Sequence, residues 1–143
     1  LRPVAITTWR VDSQHPSDLP HSTLLSQELS RLQDGDSSML ERVRIRESRA
    51  SLRPQSAQPF IGVIPNASAS AAVIEVRAGD RSGLLFALAN SLSKLRLSIR
   101  SAHVSTLAGQ AIDTFYLTES DGTVPADDRI QAAVAALTTT AGG

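Results

Sequence analysis

Residues 73–85 change structural period within a few positions. Val73-Ile74-Glu75-Val76-Arg77-Ala78 is strand-like, Gly79-Asp80-Arg81-Ser82-Gly83 reads as a turn, and Leu84-Leu85 open an apolar run at once. The run continues as Leu84, Leu85, Leu88, Leu92 and Leu95, one stripe at helical spacing, so a helix is expected over residues 82–95. A strand that turns directly into a helix gathers free backbone N–H groups and the positive end of the helix dipole at one point. That point suits the carboxylate of a small ligand, which favours a sensor over a catalyst.

Composition narrows the surroundings of this junction. A chain of 143 residues makes one ordinary domain, or a smaller one with appendages. Aromatic residues supply only 3% of it, which argues against a base-stacking platform, and 14 basic residues balance 14 acidic ones. No nucleic-acid partner is expected. The one arginine series, Arg42, Arg44, Arg46 and Arg49, is interspersed with Glu41 and Glu47 and reads as a solvated segment. The absence of cysteine excludes disulfides, thiolate metal sites and a cysteine nucleophile, and fits a reducing compartment. No stretch has the pattern of a signal peptide or a membrane span, so no membrane partner is expected either. The chain opens on Leu1 and its only methionine is Met39, as expected of a piece of a longer protein.

Along the chain, Val4 to Val11 is β-branched and reads as a strand. Leu25, Leu29 and Leu32 then form a helical stripe expected to face inward, with Ser22 as N-cap and Gly35 as the stop. Residues 47–59 are rich in Ser, Arg, Pro and Gln and read as a linker. Beyond it the order is α+β: strands over 60–64 and 72–78, the 82–95 helix, strands over 97–106 and 110–119, and a helix over 127–137. The apolar alternation shifts by one residue between Ile99 and Ala102, which predicts a β-bulge near Arg100 or Ser101. Leu107-Ala108-Gly109-Gln110 predicts a tight hairpin.

The chain also repeats itself. Ala5-Ile6-Thr7-Thr8-Trp9-Arg10-Val11 matches Ala111-Ile112-Asp113-Thr114-Phe115-Tyr116-Leu117, and Leu25, Leu29 and Leu32 match Ile130, Val134 and Leu137. Residues 1–46 therefore read as the C-terminal half of a preceding module, 47–59 as linker, and 60–140 as a fuller copy.

Together, Gly79-Asp80-Arg81-Ser82-Gly83-Leu84-Leu85, the strand Ala111 to Leu117 and the following Asp121-Gly122 resemble an ACT domain, a small regulatory βαββαβ unit that commonly binds amino acids. The tandem arrangement, the proline-containing spacer and the Asp-Thr-Phe-Tyr strand resemble the C-terminal ACT pair of the bifunctional enzymes that uridylylate and deuridylylate the PII signal protein. This resemblance implies a ferredoxin-like α+β fold and a cytoplasmic regulatory module. It also implies an amino-acid ligand, glutamine for that enzyme family, with PII as a partner of the full-length parent. The implied ligand-binding residues are Asp80, Arg81, Ser82, Gly83, Leu84 and Leu85 in the turn and Ile99, Arg100 and Ser101 on the second strand, in a site often completed across two modules. Magnesium is expected only in the catalytic domains of such a parent, with no cofactor in this stretch. The family's proline is replaced by Ser82, whose hydroxyl is expected to cap the helix. No strand-like segment follows Leu137, so the last edge strand is expected to come from residues 60–64 instead.

Catalytic arrangements are weak by comparison. Ser91-Leu92-Ser93-Lys94 lies inside the leucine-striped helix, Asp34-Gly35-Asp36 reads as a helix C-terminal turn, and Asp127-Asp128 reads as a helix N-terminal pair. His15, His21 and His103 have neither metal-ligand spacing nor an adjoining acid, and Asn66-Ala67-Ser68 is a sequon by pattern alone. No catalytic or metal residue is assigned. The reading from another class is an assembly module, in which exposed sheet edges pair into a homodimer without a ligand.

Overall fold

The computed structural model describes residues 19–50 and 58–143, and the chain divides into two compact units, Leu1–Leu40 and Glu41–Gly143. The strand expected over Val4 to Val11 lies outside the described residues. In the first unit α1 spans Ser22–Gln33 and ends where expected, at a turn in which Gly35 takes a left-handed φ of 89°. Glycine adopts that conformation without the Cβ clash that penalises other residues. Two expectations fail here. His21 is the N-cap, so Ser22 is already helical and its hydroxyl sits one residue too late to cap. No residue of α1 is buried, and Leu24, Leu25 and Leu29 are exposed, because no strand among the described residues of this unit covers the stripe.

The arginine series forms a second helix, α2, over Ser38–Ala50, which was not anticipated. Asp36 Oδ1 accepts the Ser38 N–H at 2.9 Å, and Glu41 pairs with Arg44 one turn on at 3.5 Å. Residues 47–50, expected as linker, complete this helix.

The rest is one four-stranded antiparallel sheet with two helices on one face. β1 spans Phe60–Val63, β2 Ala72–Gly79, β3 Ser98–Leu107 and β4 Gln110–Thr118, and the sheet order is β1-β2-β4-β3. Helix α3 spans Leu84–Lys94 and α4 Asp127–Gly142. β1 pairs antiparallel with β2, Phe60 opposite Arg77 and Val63 opposite Ile74. Val76 and Ala78 on β2 and Ala111, Phe115 and Leu117 on β4 meet Leu84, Leu88 and Leu92 of α3 and Ala133, Leu137 and Ala141 of α4 in one core. The period-2 and period-3.6 patterns thus meet face to face, which is why an apolar content of small aliphatics suffices to fill the layer.

Three details refine the sequence reading. The bulge falls between Ile99 and Ser101, leaving Arg100 as the extra residue. The β3–β4 hairpin turns through Ala108 at φ 50° and Gly109 at φ 76°, two successive left-handed residues as a tight primed turn requires. Helix α4 continues past Leu137 to Gly142, and within it the hydroxyls of Thr138, Thr139 and Thr140 donate back to the carbonyls four residues earlier.

Candidate functional site

The β2–α3 junction forms the centre of one end of this unit. β2 finishes at Gly79, opposite Gln110, and the Asp80 N–H donates to the Gly109 carbonyl at 2.9 Å, clamping the turn to the β3–β4 hairpin. Three residues later the chain enters α3 through Gly83 at φ 84°, with no side chain capping the helix. Ser82 is therefore not the cap. It precedes the left-handed glycine, is exposed, and leaves the first-turn amides without its hydroxyl. Gly83 does the geometric work, since a Cβ in the left-handed region costs about 1–2 kcal/mol.

The other residues of the turn have separate duties. Leu84 is buried and its N–H donates to the Arg81 carbonyl at 3.1 Å, and Leu85 packs against the core. Arg81 Nη2 donates to the Thr140 carbonyl at 2.8 Å, binding the turn to the last helical turn of α4, where a cation also opposes the negative end of the dipole. Asp80 is exposed.

Ile99, Arg100 and Ser101 are not brought to this turn within the chain. Ile99 is opposite Leu117, which is opposite Ala72, whereas the turn follows Gly79 at the other end of β2. The ladder between those ends is about 23 Å long at about 3.3 Å per residue. Arg100 Nη1 instead donates to Ser70 Oγ at 2.7 Å, at the end where β2 begins. That end also holds Arg129, which bridges Glu119 and the Leu95 carbonyl and so ties α4 to the close of α3.

One group on β4, three residues along from Gln110, was not assigned a role from the sequence. Asp113 occupies an inward position of β4 between Ala111 and Phe115, 2% exposed, and its Oδ1 has no hydrogen-bond partner. Burial, joined by repulsion from the Asp80 carboxylate, raises its pKa to about 6, while a Ser105 backbone N–H acts in the opposite sense. The signal was present, since Ala111, Asp113, Phe115 and Leu117 alternate as an inward row with one acid in it. His103 stacks edge-on against Tyr116 at 5.8 Å, and among the described residues no cluster of three His, Asp or Glu side chains is placed to hold a metal ion. No helix among the described residues is long and apolar enough to cross a membrane.

Residues 66–138, half of the chain, match the family model described as plant bHLH transcription factor, ACT-like domain. The chain is 41% identical over 130 residues, 87% of its length, to a bifunctional uridylyltransferase/uridylyl-removing enzyme of Streptomyces coelicolor. It is 36% identical over 118 residues, 82% of its length, to the enzyme of the same name from Bradyrhizobium diazoefficiens. A third, from Rhodopseudomonas palustris, is 44% identical over 72 residues, half of this chain. The matches cover 15%, 13% and 8% of those relatives, so the chain spans a small part of their length. No solved structure matches.

Proposed function

The chain belongs to the ACT-like domain family, and from that premise we propose that it is the regulatory, amino-acid-sensing region of a cytoplasmic bifunctional uridylyltransferase/uridylyl-removing enzyme. The observation that carries this reading is the β2–α3 junction, where a left-handed Gly83 delivers the chain into an uncapped helix start. The first-turn amides beyond Leu84, whose own N–H is held by the Arg81 carbonyl, and the dipole of α3 would receive the ligand's carboxylate, and glutamine is the proposed ligand. PII is the proposed substrate of the parent, and magnesium is assigned to the parent's catalytic domains.

In this reading the site is completed by a second module. β3 is an open edge of ten residues, almost all exposed. A copy related by a two-fold axis would run antiparallel along it, bringing its own Ile99, Arg100 and Ser101 toward the Asp80–Leu85 turn of the first. β1 is read as the substitute for the family's last strand, since it flanks β2 on the side that strand would occupy. Residues 1–46 are read as the C-terminal half of a preceding ACT copy and 60–140 as the present one.

The long edge of β3, with Ile99, Val104 and Leu107 exposed, also favours a second reading as an assembly module that dimerises without a ligand. A thermal-shift panel of the common amino acids separates the two. A specific binder at 100-fold excess over its Kd stabilises the fold by about 2.7 kcal/mol. A rise with glutamine alone is the expected result, whereas an unchanged Tm with every amino acid would favour assembly alone.

A further inference from the structure

Helix α3 has a second side that the core does not use. Leu84, Leu88 and Leu92 are buried in the core, while Phe86, Ala87, Asn90, Ser91 and Lys94 recur at the i, i+1, i+4, i+5, i+8 spacing of a separate helical stripe. This stripe lines an open cleft of about 360 Å³, completed by Thr140 of α4 and Arg44 of α2. Helix α2 from Glu41 onward, α3 and α4 belong to the same compact unit. The lining includes no residue of the Gly79–Leu85 turn, and the volume lies within the range of about 300–1,000 Å³ that small-molecule sites occupy.

The chemistry of the cleft is one-sided. Arg44 and Lys94 supply two cations and Asn90 an amide donor, and among the described residues no acidic side chain lines it. Arg44 pairs with Glu41 one turn back at 3.5 Å, but both side chains are more than half exposed, so that pair contributes little and yields to a better acceptor. The hydroxyls of Ser91 and Thr140 donate to the Leu88 and Ala136 carbonyls at 2.7 and 2.8 Å, which leaves their oxygens as acceptors. Phe86, half-buried, and Ala87 add an apolar wall. One carboxylate would leave a cation unmatched, whereas a phosphate monoester carries about two negative charges near neutral pH and three acceptor oxygens. A guanidinium takes such a group as a two-pronged fork and an ammonium takes it as a point charge.

We propose that this cleft binds a small phosphate monoester, with Arg44, Lys94 and Asn90 holding the phosphate and the organic body resting on Phe86 and Ala87. From Phe86 to Lys94 the helix rises about 12 Å at about 1.5 Å per residue, room for a phosphate at one end and a single ring at the other.

The test is a titration of the full chain followed by backbone amide NMR, with phenyl phosphate as the probe and inorganic phosphate, phenol and glutarate as comparisons. The expected result is that phenyl phosphate shifts the amides of residues 86–94 and binds more tightly than the other three, and that added salt weakens it. Lys94→Gln and Arg44→Gln, both at exposed positions, should each weaken phenyl phosphate by about 10-fold. Phe86→Ala should weaken phenyl phosphate and leave inorganic phosphate unchanged. Circular dichroism establishes that each variant is folded. Glutarate that binds the cleft as tightly as phenyl phosphate overturns the phosphate assignment. Phenyl phosphate that leaves residues 86–94 unshifted, or that binds both charge variants as tightly as wild type, overturns the site itself.

Discussion

Asp113 is a buried acid whose Oδ1 has no hydrogen-bond partner, and the pH dependence it gives the fold follows from one sign. Its folded pKa of about 6 lies above the ordinary 3.8, so between those values the native state holds a proton that the unfolded chain has released. The destabilisation is absent below pH 3.8, grows between 3.8 and 6, and is complete above 6. A shift of about two units corresponds to roughly 2–3 kcal/mol. Urea unfolding of wild type and Asp113→Asn should show the variant gaining about that much in relative stability between pH 4 and pH 7.5. A difference that does not change with pH would mean the carboxyl is not held neutral by its surroundings. The residue was visible in the sequence as a single acid in an inward row. That its partner is missing was not, because hydrogen bonding depends on what β2, β3 and the β2–α3 turn place around it.

At the scale of elements, the helices were legible as stripes and their ends were not. Leu84, Leu88 and Leu92 are buried as the spacing required, yet capping departs from the obvious hydroxyls in α1 and α3 alike. Capping depends on where the backbone leaves the helical region, and neighbouring contacts decide that to within a residue. Ala126 is the N-cap of α4 and contributes no side-chain cap ahead of Asp127 and Asp128. Ala126→Ser should therefore stabilise the fold by about 0.5–1 kcal/mol in denaturant unfolding. Gly83→Ala should do the reverse, costing about 1–2 kcal/mol because of the left-handed backbone. In calorimetry each kcal/mol corresponds to about 4–8 °C in Tm for a unit of this size. A neutral Gly83→Ala would show that the turn relaxes to another conformation, and the site geometry would have to be redrawn.

At the scale of the whole molecule, the open edge of β3 gives the clearest expectation. Sedimentation velocity should find a dimer, and Val104→Lys, which places a charge on that edge, should shift it toward monomer and weaken the thermal response to glutamine together. A monomeric variant with full ligand response would rule out a site shared between modules. The succession of strands and helices from Ala72 to Leu137, the bulge at Arg100 and the hairpin at Gly109 were determined by the sequence, because period, branching and turn chemistry are local and the chain states them residue by residue. Only the tertiary structure decided that Arg81 turns to Thr140, that the α1 stripe lies exposed, and that Ile99 to Ser101 stand at the far end of the sheet from Asp80. Each depends on groups distant in sequence, and strand register sets which end of a sheet a residue occupies. Asp113 belongs to both accounts: its place in the inward row is written in the chain, and its unmet hydrogen bond exists only once three strands and a turn have closed around it.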